Sequence, residues 1–345
     1  MSGIEAAVAG APRARAHHVA ELIVRFRELG IVLALVIVVA GTSIDNSRFL
    51  SSTSLQQLLS GAAIVALLAI GETLVIVTRN VDLSIGSILG LSAYATGAIY
   101  VHHPHVNMLI VLLAGVAIGL ACGMVNGAIT TLCRVPSLVV TLGTLYVIRG
   151  LDASWAGGNQ INSSSLPDSF NQLGYGKLLG VPYLGIITIV CVIAATYGMR
   201  TFRSGRDLYA IGSNPEAARL AGIPVDLRVF ATFAISGAIA GFAGVLWLAF
   251  FGSVDSTAGS GYEFEVVAAV VVGGVAIFGG SGSVLGAALG ALLLNTIASS
   301  LVVINVSSYW VQAIQGALLV IAIAFDRLIS LRLAPALRTR RSTRE

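Results

Sequence analysis

Long apolar runs recur along this chain at near-regular intervals, and that recurrence constrains its fold more than any other feature. They lie at about 31–40, 55–77, 84–101, 108–132, 137–151, 178–199, 230–251, 264–278, 284–304 and 309–325. Most approach the ~20 residues that a helix needs to cross ~30 Å of hydrocarbon, although a few are short. The expectation is an all-α, polytopic membrane protein of about ten transmembrane helices, with both termini on one side. Charged residues make up only 10% of the 345, where a soluble domain carries about a quarter.

Basic residues orient the spans. With cytoplasmic termini, only Arg48, Arg149 and Lys177 of the 20 basic residues fall outside, an asymmetry that fixes the topology. The chain then divides into a cytoplasmic N-terminal segment, 1–30, a transmembrane domain, 31–327, and a basic cytoplasmic tail, 328–345. Arg25 and Arg27 sit at the inner interface of the first span. The Gly-, Ser- and Asn-rich segment 152–178 becomes an external loop, either a docking surface or a connector. Segment 200–228 becomes a cytoplasmic loop.

That loop is the only interior stretch dense in charge. Within it Asn214 is a good N-cap, Pro215 suits the first turn, and Glu216 favours the positive end of the helix dipole. Gly222 supplies a left-handed stop, with Pro224 beyond. A helix of about two turns does not hold itself together in water, so it must be docked. Ala217, Leu220 and Ala221 share one small apolar face, with Arg219 and Glu216 flanking it, a face suited to a protein cleft more than to a bilayer.

Several function classes are disfavoured. The net charge of +4 does not signal nucleic acid, because the basic residues mark span ends and form no patch with aromatics. Cys122, Cys133 and Cys191 lack CxxC spacing, and His102, His103 and His105 cluster around Pro104 in a loop, so no metal site is expected. Gly176-Lys177 is followed by Leu178, so there is no phosphate-binding P-loop. The spans carry no ladder of acids and histidines of the kind a proton relay needs.

Three polar motifs interrupt the spans. In Thr78-Arg79-Asn80-Val81-Asp82-Leu83-Ser84, Asp82 is costly near hydrocarbon, and either pairing with Arg79 or capping the next helix offsets the cost. Asn80, Asp82 and Ser84 are candidates for a translocation path. Asn126 is either interhelical glue or a pathway residue. Thr141 and Thr144 share a helix face and either line a polar path or bond back to helix carbonyls. Of Glu263 and Glu265 at the mouth of a span, Glu265 is the better inward-facing candidate. Gly282, Gly286 and Gly290 form a ridge for close helix packing. Gly86-Ser87-Ile88-Leu89-Gly90 echoes Gly282-Ser283-Val284-Leu285-Gly286, which hints at an internal repeat.

These motifs carry a family resemblance. GETLVIVTRNVDLSIGS resembles the signature of sugar-type ABC permeases, the ribose, rhamnose and autoinducer-2-like group. The segment from Ser137 through Thr141 and Thr144 to Gly150, and the block from Gly259 to Gly280, resemble two further motifs of that family. Glu216-Ala217-Ala218 followed by Gly222 resembles the loop of ABC-importer permeases that plugs into the ATPase, with Ala218 part of the motif. The resemblance runs over about 55–325.

It implies an ABC-importer permease fold in a bacterial inner membrane, with no catalysis in this chain. It also implies ATPase subunits that bind ATP and Mg²⁺, a second permease subunit and a periplasmic sugar-binding protein as partners. The cargo would be a monosaccharide or small polyol such as rhamnose or autoinducer 2. An ion-coupled secondary transporter and a branched-chain amino-acid ABC permease are the alternatives.

Overall fold

A computed structural model describes residues 11–307 and isolated positions between 309 and 324, with side chains described from residue 28 onward. The expected basic tail and part of the tenth span lie outside the described residues, as do the side chains of Arg25 and Arg27, whose backbone is helical.

Twelve α-helices are described in chain order: α1 (Ala11–Asp45), α2 (Ser52–Val77), α3 (Ile85–His102), α4 (Met108–Leu132), α5 (Ser137–Ala156), α6 (Asp168–Tyr175), α7 (Tyr183–Thr201), α8 (Arg203–Ser213), α9 (Pro215–Leu220), α10 (Val225–Phe251), α11 (Tyr262–Val272) and α12 (Val284–Val303). Six of them, α1, α2, α4, α7, α10 and α12, are long and apolar enough to cross a membrane. α3 and α5 fill two further expected spans. The protein is therefore an all-α, multi-pass membrane chain.

Two expected spans take a different form. The short run at 31–40 is the second half of the 35-residue α1. The span expected at 264–278 is the 11-residue α11 followed by an irregular segment, 273–283. At 1.5 Å per residue α11 covers about 16 Å, half of a hydrocarbon core. Gly273 and Gly274 end it early.

α2 is the axis of the bundle: 94% of its most apolar window is buried, against 11% for α1 and 22% for α4 and for α7. Its Ile64, Leu67, Leu68 and Ile70 enter one core with Ile88 and Leu89 of α3, Ala243 and Leu246 of α10, Val270 of α11 and Leu294 of α12. Each such side chain adds about 1.5–3 kcal/mol where it leaves water, and inside a bilayer its contribution is close packing.

The tightest pairing joins α4 to α10. Gly115, Gly119, Gly123 and Gly127 recur every fourth residue and lie against the backbone of α10 at Phe230, Phe233, Gly237 and Gly241. A Cβ on Gly119 would occupy the space of the Gly237 carbonyl, so the seam exists only because both faces lack side chains. Of the expected ridge, Gly286 and Gly290 pack in this way against Gly273 and Ala269. Gly282 does not: it precedes α12, adopts φ +135° and faces Val275.

The two ends of the bundle differ. One carries α8 and α9. The opposite end is capped by residues 157–182, where α6 seats Phe170 against Tyr100 with ring centroids 5.1 Å apart. There the two-residue strand β1 (Ile161–Asn162) pairs antiparallel with Ser253–Val254, and Lys177–Leu178 pairs with Val181–Pro182. The expected external loop 152–178 is thus an ordered cap, begun five residues late because α5 runs on through Asp152 to Ala156.

Candidate translocation and coupling site

Both irregular segments inside the bundle turn inward. After α10 ends beside Gly97, residues 252–261 fold back until Ala258 and Gly259 lie against Gly90 and Gly86 of α3. Eleven residues of helix separate Gly97 from Gly86, so the fold-back is about 16 Å deep. Arg149 of α5 holds it there, donating from Nη1 to the carbonyls of Ala258 and, at 3.4 Å, Ser256. α11 therefore starts inside the bundle.

The second inward turn is 78–84, between α2 and α3. Asp82, Ser84 and Asn126 are fully buried together with Glu72, in the middle of the apolar face of α2. The Asp82 amide donates to Glu72 Oε1 at 3.1 Å. Asp82 Oδ1 accepts the Ser84 amide at 3.0 Å and the Ser84 hydroxyl at 2.6 Å. Asn126 Nδ2 of α4 donates to Ser84 Oγ at 2.7 Å. Glu72 Oε2, Asp82 Oδ2 and Asn126 Oδ1 have no partner among the described residues. The site is a dense, fully buried polar cluster with three unpartnered oxygens among the described residues.

The geometry resolves the alternatives left by the sequence. Asp82 caps the start of α3 and does not pair with Arg79, whose guanidinium points the other way. Thr141 bonds back to Ser137 O at 2.9 Å and reaches Val81 O at 3.3 Å, and Thr144 bonds back to Thr141 O at 3.3 Å. Thr141 thus braces the 78–84 turn from α5, and Thr144 lies only half-buried outside the cluster. Asn80 folds its amide onto Thr78 at 3.0 Å and stays at the rim. Of the two glutamates, Glu263 is fully enclosed and Glu265, the expected inward-facing one, is partly buried beside it. Gly261 precedes α11 at its N-cap, and Glu263 turns back to accept that glycine's amide at 3.3 Å.

Sequence reasoning missed Glu72 and the glycine seam of α4. Each left a signal: a lone acid in an uncharged run of more than twenty residues, and four glycines at spacing four. With Asp152 and Glu263 also buried, the interior holds more acid than the sequence reading allowed, although these acids form no continuous ladder.

The charged segment 200–228 contains two helices, not one. α8 ends at Ser213, and Asn214 then caps α9 as expected, its Oδ1 accepting the amides of Glu216 and Ala217 at 3.1 Å each. Gly222 takes φ +80°, the left-handed stop. Ala218 alone turns inward, into a small core of Val75, Ile211, Val225, Val229 and Phe233. Ala217 and Ala221 are exposed, and Leu220 is 91% exposed. Two ion pairs moor the segment to α10, Arg219 to Asp226 at 2.7 Å and Arg228 to the buried Asp207 at 2.8 Å. The first is exposed and contributes little; the second is the stronger anchor.

A helical bundle with broken helices around a buried polar cluster, and a moored helix pair presenting a bare apolar face at one end, defines a membrane permease. The chain belongs to the family described as the permease component of the branched-chain amino acid transport system, whose model matches residues 54–323. It is 34% identical over 318 residues to the autoinducer 2 import system permease protein LsrC of Escherichia coli K12, covering 92% of both chains. It is 33% identical to the protein of the same name in Salmonella paratyphi B, covering 92% of this chain and 91% of that one. No solved structure matches.

Proposed function

We propose that this chain is the transmembrane subunit of an ATP-driven importer for autoinducer 2 or a closely related small polyol. The α8–α9 end faces the cytoplasm, both termini lie there, and residues 157–182 face a periplasmic binding protein that delivers the cargo. Two permease subunits form the conduit, and separate ATPase subunits bind ATP and Mg²⁺. The observation that carries the reading is α9 itself. Its inner face is anchored by Ala218 while Leu220 stands 91% exposed beside Ala217 and Ala221, an apolar knob with no cover among the described residues. A knob of that size, ringed by Glu216 and Arg219, fits a protein cleft.

Support for the cargo comes from similarity along nearly the whole chain to permeases named for autoinducer 2. A zwitterionic amino acid would need paired opposite charges along its path. The cluster of Glu72, Asp82, Ser84 and Asn126 offers acids, a hydroxyl and an amide, groups suited to hydroxyl-rich cargo.

The double variant Glu216→Ala, Ala217→Arg tests the docking. It inserts into the membrane normally and loses co-purification of the ATPase. Undiminished co-purification contradicts the assignment.

A further inference from the structure

Arg79 has an unusual backbone. Its φ is +66°, a left-handed conformation that costs a non-glycine residue about 1–2 kcal/mol and that glycine adopts freely. Strain of that kind persists where a side chain has work to do. Here the guanidinium donates through Nε to Gly212 O and through Nη2 to Ser213 O at 2.7 Å. Those are carbonyls at the C-terminal end of α8, where acceptors are unpaired and a cation is favoured. They also immediately precede Asn214, the cap of α9, so the grip falls on the joint between the two helices.

The same joint meets the irregular segment 273–283 that precedes α12. Gly280 N donates to Val77 O at 2.9 Å, and Gly279 and Gly280 lie against Arg79 and Ser213. Tyr209 of α8 donates to Gly282 O at 3.0 Å, and burial holds its phenol above the ordinary range, so it remains a donor. The turns that lead into α3 and α12 therefore converge on one knot at the end of α8. From Arg79 the chain reaches Asp82 in three residues, and Val81 is pinned on the way by Ser137 Oγ at 3.2 Å.

We infer that Arg79 is the positioning residue that makes the α8–α9 pair and the buried Asp82–Ser84–Asn126 cluster move as one body. A displacement of α9 pulls the carbonyls of Gly212 and Ser213, these pull the guanidinium, and the 78–84 turn follows. Arg79 touches neither cargo nor nucleotide. The inference rests on the proposed ATP-driven reading.

The test uses the complete complex of permease, ATPase and binding protein in proteoliposomes, with labelled autoinducer 2 as the probe and cargo imported per ATP hydrolysed as the readout. Arg79→Gln and Arg79→Gly retain the bound ATPase and its hydrolysis, while import per ATP falls by about tenfold or more. Arg79→Gly removes the backbone strain together with the guanidinium, so its failure cannot come from misfolding through strain. Arg79→Lys, which keeps a cation and a donor, recovers most of the lost coupling. Import per ATP unchanged in Arg79→Gln and Arg79→Gly overturns the inference. A wild-type complex that hydrolyses ATP without importing overturns the transport reading instead, and the two failures are told apart by the wild-type control. Should a variant fail to assemble, amide exchange in the detergent-solubilised chain decides: Arg79→Gly speeds exchange at Ser84 and Gly280 by about tenfold, and unchanged exchange counts against the link.

Discussion

Arg79 and Arg149 make the same kind of bond at two places and do different things. Each spends its guanidinium on two main-chain carbonyls from a segment more than a hundred residues away. Arg79 does so at the exposed rim beside α8 and α9. Arg149 does so inside the bundle, where Asp152, buried with both oxygens unpartnered, and Glu263 are the acids that feel its charge. A strap at a wet rim can transmit a pull while adding little to stability, because water replaces the carbonyls at little cost when it is removed. A part-buried strap beside acids adds more, because the carbonyls it leaves are less open to water. The difference separates a link that carries motion from a brace that fixes the fold.

Removing the interior brace gives the largest effect. Arg149→Gln removes the charge-assisted bonds to Ala258 and Ser256 and lowers stability by about 3 kcal/mol, read as a fall in melting temperature in detergent. Adding Asp152→Asn to that variant restores about half of the loss, because one stranded charge goes with it; a strictly additive pair would contradict the electrostatic coupling. At the rim, Arg79→Gln costs less, about 1–2 kcal/mol, since the freed carbonyls reach water. Equal losses for Arg79→Gln and Arg149→Gln would erase the comparison. Smallest is Asn214→Ala, which removes the cap of α9 for about 1 kcal/mol and shows only as faster amide exchange across 216–220.

The helices and their ends were legible because each follows from local chemistry. Runs without charge named the spans, and Asn214, Pro215 and Gly222 delimited α9 without reference to any neighbour. What could not be read was depth. Whether Glu263 or Glu265 faces inward depends on residues 252–261 folding back beside α3, and no periodicity in that loop announces it. Arg79 stood three residues from Asp82, so pairing looked natural along the chain. Its actual partners, 133 and 134 residues on, belong to the end of a helix that the sequence reading had not separated from its loop. Thr141 turned from a candidate for the path into a brace for the same reason: Val81 is 60 residues away and adjacent only in space.

The central claim is that this chain is a conduit with no engine of its own. Uptake of labelled autoinducer 2 into proteoliposomes, measured with and without the ATPase subunits, tests it most directly. Accumulation only when the ATPase, ATP and the binding protein are all present is the predicted result. Accumulation by the purified chain under a proton or sodium gradient, with no ATPase in the vesicle, would contradict it.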